Sequence, residues 1–246
     1  MNEPRPVALI TGAARRIGAA IATALHDAGY DLALHYRESA SDAAALQDAL
    51  EEKRRNSTVL LRADLSDIER LPALVERTVL RFGRLDALVN NASAFFPTPV
   101  GETRESMWDA LMDSNAKAPF FLSQAAAFHL RESHGAILNL SDVYAERPLA
   151  QHTVYCMAKA AMSMLTLSLA RELGPQVRVN AIAPGAILWP ESPSDPALRD
   201  ALLERTTLKR IGEPDDVAQA AVFLLGQANY TTGQILRVDG GRWLTI

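Results

Sequence analysis

Tyr155 and Lys159 stand four residues apart in a stretch of helical spacing, which puts both side chains on one face within reach of each other. A phenol with an unperturbed pKa of about 10 exchanges protons poorly near neutrality. A neighbouring ammonium stabilises the phenolate and moves the pair into the working range, so the spacing points to acid–base chemistry. Such pairs also occur as a surface tyrosine beside a surface lysine. This one gains weight from its company: a glycine turn near the N-terminus, the run Asn90-Asn91-Ala92, and Asn115 in a helical stretch. Cys156 adjoins Tyr155 but falls on another side of the helix, where packing is the expected role.

The glycine turn is Thr11-Gly12-Ala13-Ala14-Arg15-Arg16-Ile17-Gly18, between an apolar run and a helical pattern. Glycines there let backbone N–H groups approach a pyrophosphate lying at the positive end of the helix, as a nicotinamide dinucleotide requires. The next apolar run ends His35-Tyr36-Arg37-Glu38-Ser39. An acid at that strand end would bind ribose hydroxyls and repel a 2′-phosphate. Here Arg37 and Ser39, with Arg16 from the turn, supply charge-assisted bonds to the phosphate of NADP, and Glu38 is assigned to the loop, pointing to water. Asp64, followed by Leu65, either meets the adenine or serves as an acid at a helix start; both remain open.

These residues need a scaffold. Short apolar, β-branched runs alternate with longer helical patterns, the signature of βαβ units around a buried parallel sheet. Strands are expected at 7–11, 31–36, 58–62, 85–90, 136–140, 177–182 and 235–238, and helices at about 18–28, 43–54, 68–82, 105–131, 154–173 and 215–225. No Gly-, Ser- or Pro-rich linker and no internal repeat divides the chain, so one domain over residues 1–246 is expected. The least regular stretch, 184–210, holds Pro184, Gly185, Pro190, Pro193 and Pro196 and is expected to cover the substrate.

Composition closes off other classes. Hydrophobic residues make up 48% and charged ones 22%, as in a packed globule. A net charge of -4 with scattered arginines argues against a nucleic-acid partner. No apolar run nears the roughly 20 residues of a membrane helix, and the N-terminal run is too short for a signal peptide. A cytoplasmic protein without membrane contact is expected. One cysteine excludes an internal disulfide, and the five histidines form no i,i+4 pair, so no metal is expected.

Thr11-Gly12 with Gly18, Asn90-Asn91-Ala92, Asn115, Tyr155 with Lys159, and Pro184-Gly185 together resemble the short-chain dehydrogenase/reductase family over essentially the whole chain. The resemblance implies a single Rossmann-type doubly wound α/β domain, a seven-stranded parallel sheet flanked by helices on both faces. It implies that Tyr155 is the acid–base, and that Lys159 binds the nicotinamide ribose and lowers the tyrosine pKa. Asn115 would hold a relay water, and Pro184-Gly185 would sit by the nicotinamide. Further cofactor contacts fall to Gly12, Arg16, Ile17, Gly18, Tyr36, Arg37, Ser39, Asp64, Leu65, Asn91 and Ala92.

Two departures are informative. Arg16 stands where the family's third glycine is usual, and Asp142 stands where its serine is usual, thirteen residues before the tyrosine. Ser141 is adjacent, but a one-residue shift on a strand end points the side chain another way unless the loop bends. An ionised Asp142 would repel the oxyanion of carbonyl chemistry. A carboxyl with a raised pKa instead suits proton transfer to an imine nitrogen, so C=N reduction is favoured over C=O. In the loop Asn91-Ala92-Ser93-Ala94-Phe95-Phe96, one phenylalanine is expected in the core and one in the site, where a flat bicyclic substrate can stack.

Arg16, the His35-to-Ser39 strand end, Ser93 with Phe95, and Asp142 are similar to the pteridine reductases, a subgroup of the family. That likeness implies NADPH reduction of pterins or dihydrofolate, with Phe95 stacking the pterin, Ser93 and Arg16 contacting it, and Asp142 with Tyr155 handling the proton. It also implies a homotetramer using the long helices. Some members carry an arginine near the extreme C-terminus that reaches a neighbour's site; this sequence has none in its last three positions. Two other readings stay open. A ketoreductase acting on 3-oxoacyl thioesters would use a serine at 142, and a non-catalytic NADP(H) sensor would need no proton relay.

Overall fold

Seven short strands pair in parallel: β1 (Val7–Ile10), β2 (Asp31–Tyr36), β3 (Thr58–Arg62), β4 (Ala87–Asn90), β5 (Ala136–Leu140), β6 (Arg178–Pro184) and β7 (Ile235–Val238). Their order is β3-β2-β1-β4-β5-β6-β7 in the computed structural model, which describes residues 4–187 and 196–246. The central strands β1, β4 and β5 are buried throughout, as their mostly apolar composition requires, with Asn90 and Asn139 the polar exceptions. Alternate side chains enter two separate cores. Ala8 and Ile10 pack beneath α1 (Arg16–Asp27), with Leu50 of α2 (Ala40–Lys53) and Val217 of α8 (Pro214–Val222) in the same core. Leu9 packs on the other face with Leu74 of α3 (Leu71–Phe82), Leu122 of α5 (Ala118–Glu132) and Leu169 of α6 (Thr153–Leu173).

Strand order reverses between β1 and β4, and in such sheets the crevice outside the carboxyl ends at that switch is where ligands bind. The ends of β1, β4, β5 and β6 deliver Gly12, Asn91, Asp142 and Gly185 to that edge.

The expected helix over 105–131 is not continuous. A π-helical segment, Asp113–Lys117, separates α4 (Glu105–Met112) from α5. Pro119 supplies the reason: it has no N–H to donate, and in a regular helix its ring would crowd the carbonyl four residues back, at Asn115. Elsewhere α1 starts at Arg16 rather than 18, β4 starts at Ala87 rather than 85, and β6 runs on to Pro184. The stretch read as irregular contains α7 (Pro196–Glu204); residues 188–195, on which the substrate-covering expectation partly rests, lie outside the described residues. By length and mean hydropathy α6 could cross a membrane, yet half of its most apolar window is packed inside the protein.

Candidate active site

The dinucleotide-type cradle is held from below. Thr11 Oγ1 donates to the Val89 carbonyl (3.2 Å) and accepts from the amides of Asn91 (2.9 Å) and Ala92 (3.0 Å). Asn91 Nδ2 donates to the carbonyls of Thr11 (2.8 Å) and Gly12 (3.0 Å), so this side chain braces the turn. Gly12 has φ +62°, and a Cβ on Gly18 would stand 2.1 Å from the Gly12 carbonyl oxygen. Only glycine fits there. His35, buried beneath the turn, accepts the Gly12 amide on Nδ1 (3.2 Å), so its Nε2 carries the proton and donates to the Ala63 carbonyl (3.2 Å). Burial brings its pKa down to about 4 and keeps the ring neutral.

The first turn of α1 has neither a side-chain cap nor an acidic residue, which leaves its positive end open to an anion. Arg16 (φ +54°) is exposed at that end, and Ile17 packs on the core. Arg37 and Glu38 are both exposed and pair at 3.3 Å, so Glu38 does lie in the loop towards water. Ser39 precedes α2 without making a capping bond, and Tyr36 ends β2 half-buried. Asp64 accepts from the amide (3.0 Å) and hydroxyl (2.8 Å) of Ser66, which hold its pKa low. Leu65 is buried beside it. Pro184 pairs with Val238, and Gly185 donates its amide to the Val238 carbonyl (3.0 Å), with no room for a Cβ against Asp239.

At the end of β5 the chain separates Ser141 from Asp142. The Ser141 hydroxyl is buried against Ser163 Oγ (2.8 Å) and the Lys159 carbonyl, so it takes no part facing Tyr155. Asp142 Oδ1 accepts from the Tyr144 amide (2.8 Å), and Oδ2 accepts from the Tyr155 hydroxyl (2.7 Å). Burial raises the Asp142 pKa against the pull of those bonds and of the Lys159 and Arg242 charges. Burial, and then the Asp142 charge, raise that of Tyr155. Both shifts run towards the protonated forms, the direction that favours proton delivery over proton removal.

Lys159 corrects an expectation. Its ammonium is fully buried and donates to the Leu140 carbonyl (2.7 Å), 5.7 Å from the Tyr155 ring centre. It does not bring the phenol down in this structure, because burial and then the carboxyl bonded to that phenol push the other way. Its own pKa falls to about 8 through desolvation.

Asn115 lies in the π-helical segment with no exposed surface. Its Nδ2 donates to the carbonyls of Ala94 and Leu111 (both 3.0 Å), and its Oδ1 accepts from Ser93 Oγ (2.6 Å). The side chain thus ties the loop after β4 to the helix, with one acceptor lone pair left for a water. Ser93 is exposed, with its hydroxyl turned to Asn115. Phe96 packs on Leu111, Val154, Tyr155 and Cys156, whereas Phe95 is 55% exposed. One face of Phe95 stacks on His152 (4.8 Å, 14°), and its ring meets Tyr155 edge-on (4.8 Å, 83°).

The family model described as enoyl-(acyl carrier protein) reductase matches residues 12–242. Pteridine reductase 1 of Leishmania tarentolae is 37% identical over 280 aligned positions, covering 98% of this chain and 97% of the relative. The 3-oxoacyl-[acyl-carrier-protein] reductase FabG of Staphylococcus aureus is 36% identical over 242, covering 96% and 98%. The chain belongs to the short-chain dehydrogenase/reductase family. As a short-chain dehydrogenase/reductase it is an oxidoreductase that uses a nicotinamide dinucleotide, and the cradle fits one: glycines where a Cβ would clash, and an uncapped helix start without acids. Three supporting residues escaped the sequence reading. His35 and Thr11 shape the turn from within the motifs, and Arg242 approaches Asp142 through Tyr144 from the far end of the chain. Of these only Thr11 and His35 carried a signal, as polar residues at apolar strand ends.

Proposed function

We propose that this enzyme reduces a C=N bond of a dihydropterin, with NADPH as the reductant. The 2.7 Å bond from Tyr155 Oη to Asp142 Oδ2 carries the reading. A carbonyl-reducing site needs a hydroxyl donor at that position, and the neighbouring Ser141 hydroxyl is committed elsewhere. A protonated carboxyl beside a protonated phenol can pass a proton to a substrate nitrogen and replace it from the second acid. The exposed Phe95, backed by His152, offers its free face to a flat bicyclic ring.

NADPH, when bound, supplies the hydride. In this reading Gly12, Ile17, Gly18 and the α1 amides hold its pyrophosphate, and Arg16, Arg37 and Ser39 its 2′-phosphate. Tyr36, Asp64 and Leu65 border the adenosine; Asn91, Ala92, Pro184 and Gly185 border the nicotinamide; Lys159 binds its ribose. Ser93 and Arg16 contact the pterin. Similarity to the Leishmania pteridine reductase supports this choice of substrate. A cytoplasmic homotetramer completes the proposal, with apolar side chains exposed on α5 (Phe120, Phe128) and α6 (Met164, Leu167) as the surfaces it would cover.

The test is NADPH oxidation with dihydrobiopterin, dihydrofolate, a simple diketone and an acetoacetyl thioester. The wild type is expected to turn over the pterins. Asp142→Ser should lose about two or more decades of that activity, the scale of a lost general acid, and gain carbonyl turnover. Wild-type turnover with the carbonyl compounds alone would instead favour the FabG-like reading, and none at all the sensor.

A further inference from the structure

After β7 the chain turns back onto the loop that carries Asp142. Gly240 (φ +61°) and Gly241 (φ +79°) make the bend. The Asp239 carboxylate fixes it by accepting the amides of Gly241 (3.0 Å) and Trp243 (2.7 Å). The Trp243 ring then lies 4.5 Å from the Arg147 guanidinium and 4.2 Å from that of Arg237, and Arg237 pairs with Glu146 at 2.6 Å. Arg242, between these contacts, is only 5% exposed. Its Nη2 donates to the Tyr144 hydroxyl (3.2 Å), while its buried Nη1 has no partner among the described residues. Tyr144 in turn gives its amide to Asp142. Taking a guanidinium out of water is costly, so its position beside the Asp142 loop calls for an explanation.

We propose that Arg242 is a positioning residue for the reaction: working through Tyr144, its guanidinium fixes the orientation of the Asp142 carboxyl and balances its charge. The proposal rests on the reading of Asp142 as a proton donor. Asp142 is faced by Tyr144 from its own loop, by Tyr155, Cys156 and Lys159 from α6, and by Arg242 from the turn after β7. Lys159 and Arg242 are the two cations that favour the carboxylate. Without Arg242 the carboxyl keeps its proton to higher pH, so the range of proton delivery moves upward.

Arg242→Met, Arg242→Lys and Tyr144→Phe in the full chain test this. Two readouts are used: the pH profile of kcat/KM with dihydrobiopterin and NADPH, and infrared titration of the carboxyl band in the cofactor-free protein, assigned with Asp142→Asn. In Arg242→Met the band and the basic limb of kcat/KM should both move up by at least about half a pH unit. Arg242→Lys should return most of the shift. Tyr144→Phe, which keeps the charge but frees the guanidinium, should move the band by a smaller amount in the same direction. A band and limb that superimpose on wild type in Arg242→Met, or a lysine that restores nothing, would overturn the proposal. If the wild type reduces only carbonyl compounds, the pterin reading fails separately, and the infrared titration still judges Arg242 because it needs no substrate.

Discussion

Lys159 keeps its ammonium in the interior with one partner, the Leu140 carbonyl. Its pKa drops from 10.5 to about 8 in the fold, so between those values the unfolded chain binds more protons and stability rises with pH. The burden of the buried charge, on the order of 3 kcal/mol, is fully present below about pH 8 and fades towards pH 10.5. Urea denaturation of the cofactor-free protein should show the wild type gaining about 2 kcal/mol on Lys159→Met between about pH 7 and pH 10. A gap independent of pH would mean that the ammonium is not what destabilises the fold. At this scale the sequence showed much: Tyr155 and Lys159 were legible from their spacing, and Asp142 from the residue it displaces. The partners of Asp142 were not. Arg242 follows Tyr144 by 98 positions, and nothing in local spacing brings a late arginine to that loop.

Among the elements, the turn between β1 and α1 has the least freedom. A Cβ on Gly18 would also approach Asn91 Nδ2 to 2.7 Å, so the brace and the turn cannot both keep their places. Gly18→Ala should lower stability by about 1–3 kcal/mol, as overpacking does, and weaken NADPH binding by tenfold or more. Gly226→Ala is the matched control, since its Cβ would find its nearest neighbour at 3.7 Å, and calorimetry should leave it close to wild type. Equal behaviour of the two variants would show that the close approach at Gly18 is not needed. Strands and most helices were readable because their apolar periods differ. The π-helical break was not, since the apolar spacing of 105–131 continues through it; Pro119 was the one local signal. The bracing of the turn by Asn91 was not legible, because it depends on a strand eighty positions away.

For the whole molecule, a net charge of -4 gives no long-range attraction for an anionic cofactor. Any preference for the 2′-phosphate must then come from nearby groups, with Arg16 and Arg37 at the strand-end loops. NADPH should bind at least about tenfold tighter than NADH by calorimetry, and added salt should shrink the ratio. Equal affinities would sink the cofactor assignment. The parallel, doubly wound sheet was expected from the alternation of strand and helix patterns, and the family from its motifs. One feature lies beneath both. Asn90 Nδ2 donates to Asn139 Oδ1 (2.8 Å), and Asn139 Nδ2 to Thr166 Oγ1 (2.9 Å), a buried polar line joining β4, β5 and α6. None of the three can detach without stranding an amide in the dry interior. Local opening that released α6 would leave the Asn139 amide unpaired in the interior, which ties the helix carrying Tyr155 and Lys159 to the sheet. Substrate access then falls to the loops at the sheet edge, while the proton-handling residues stay as fixed as the core itself.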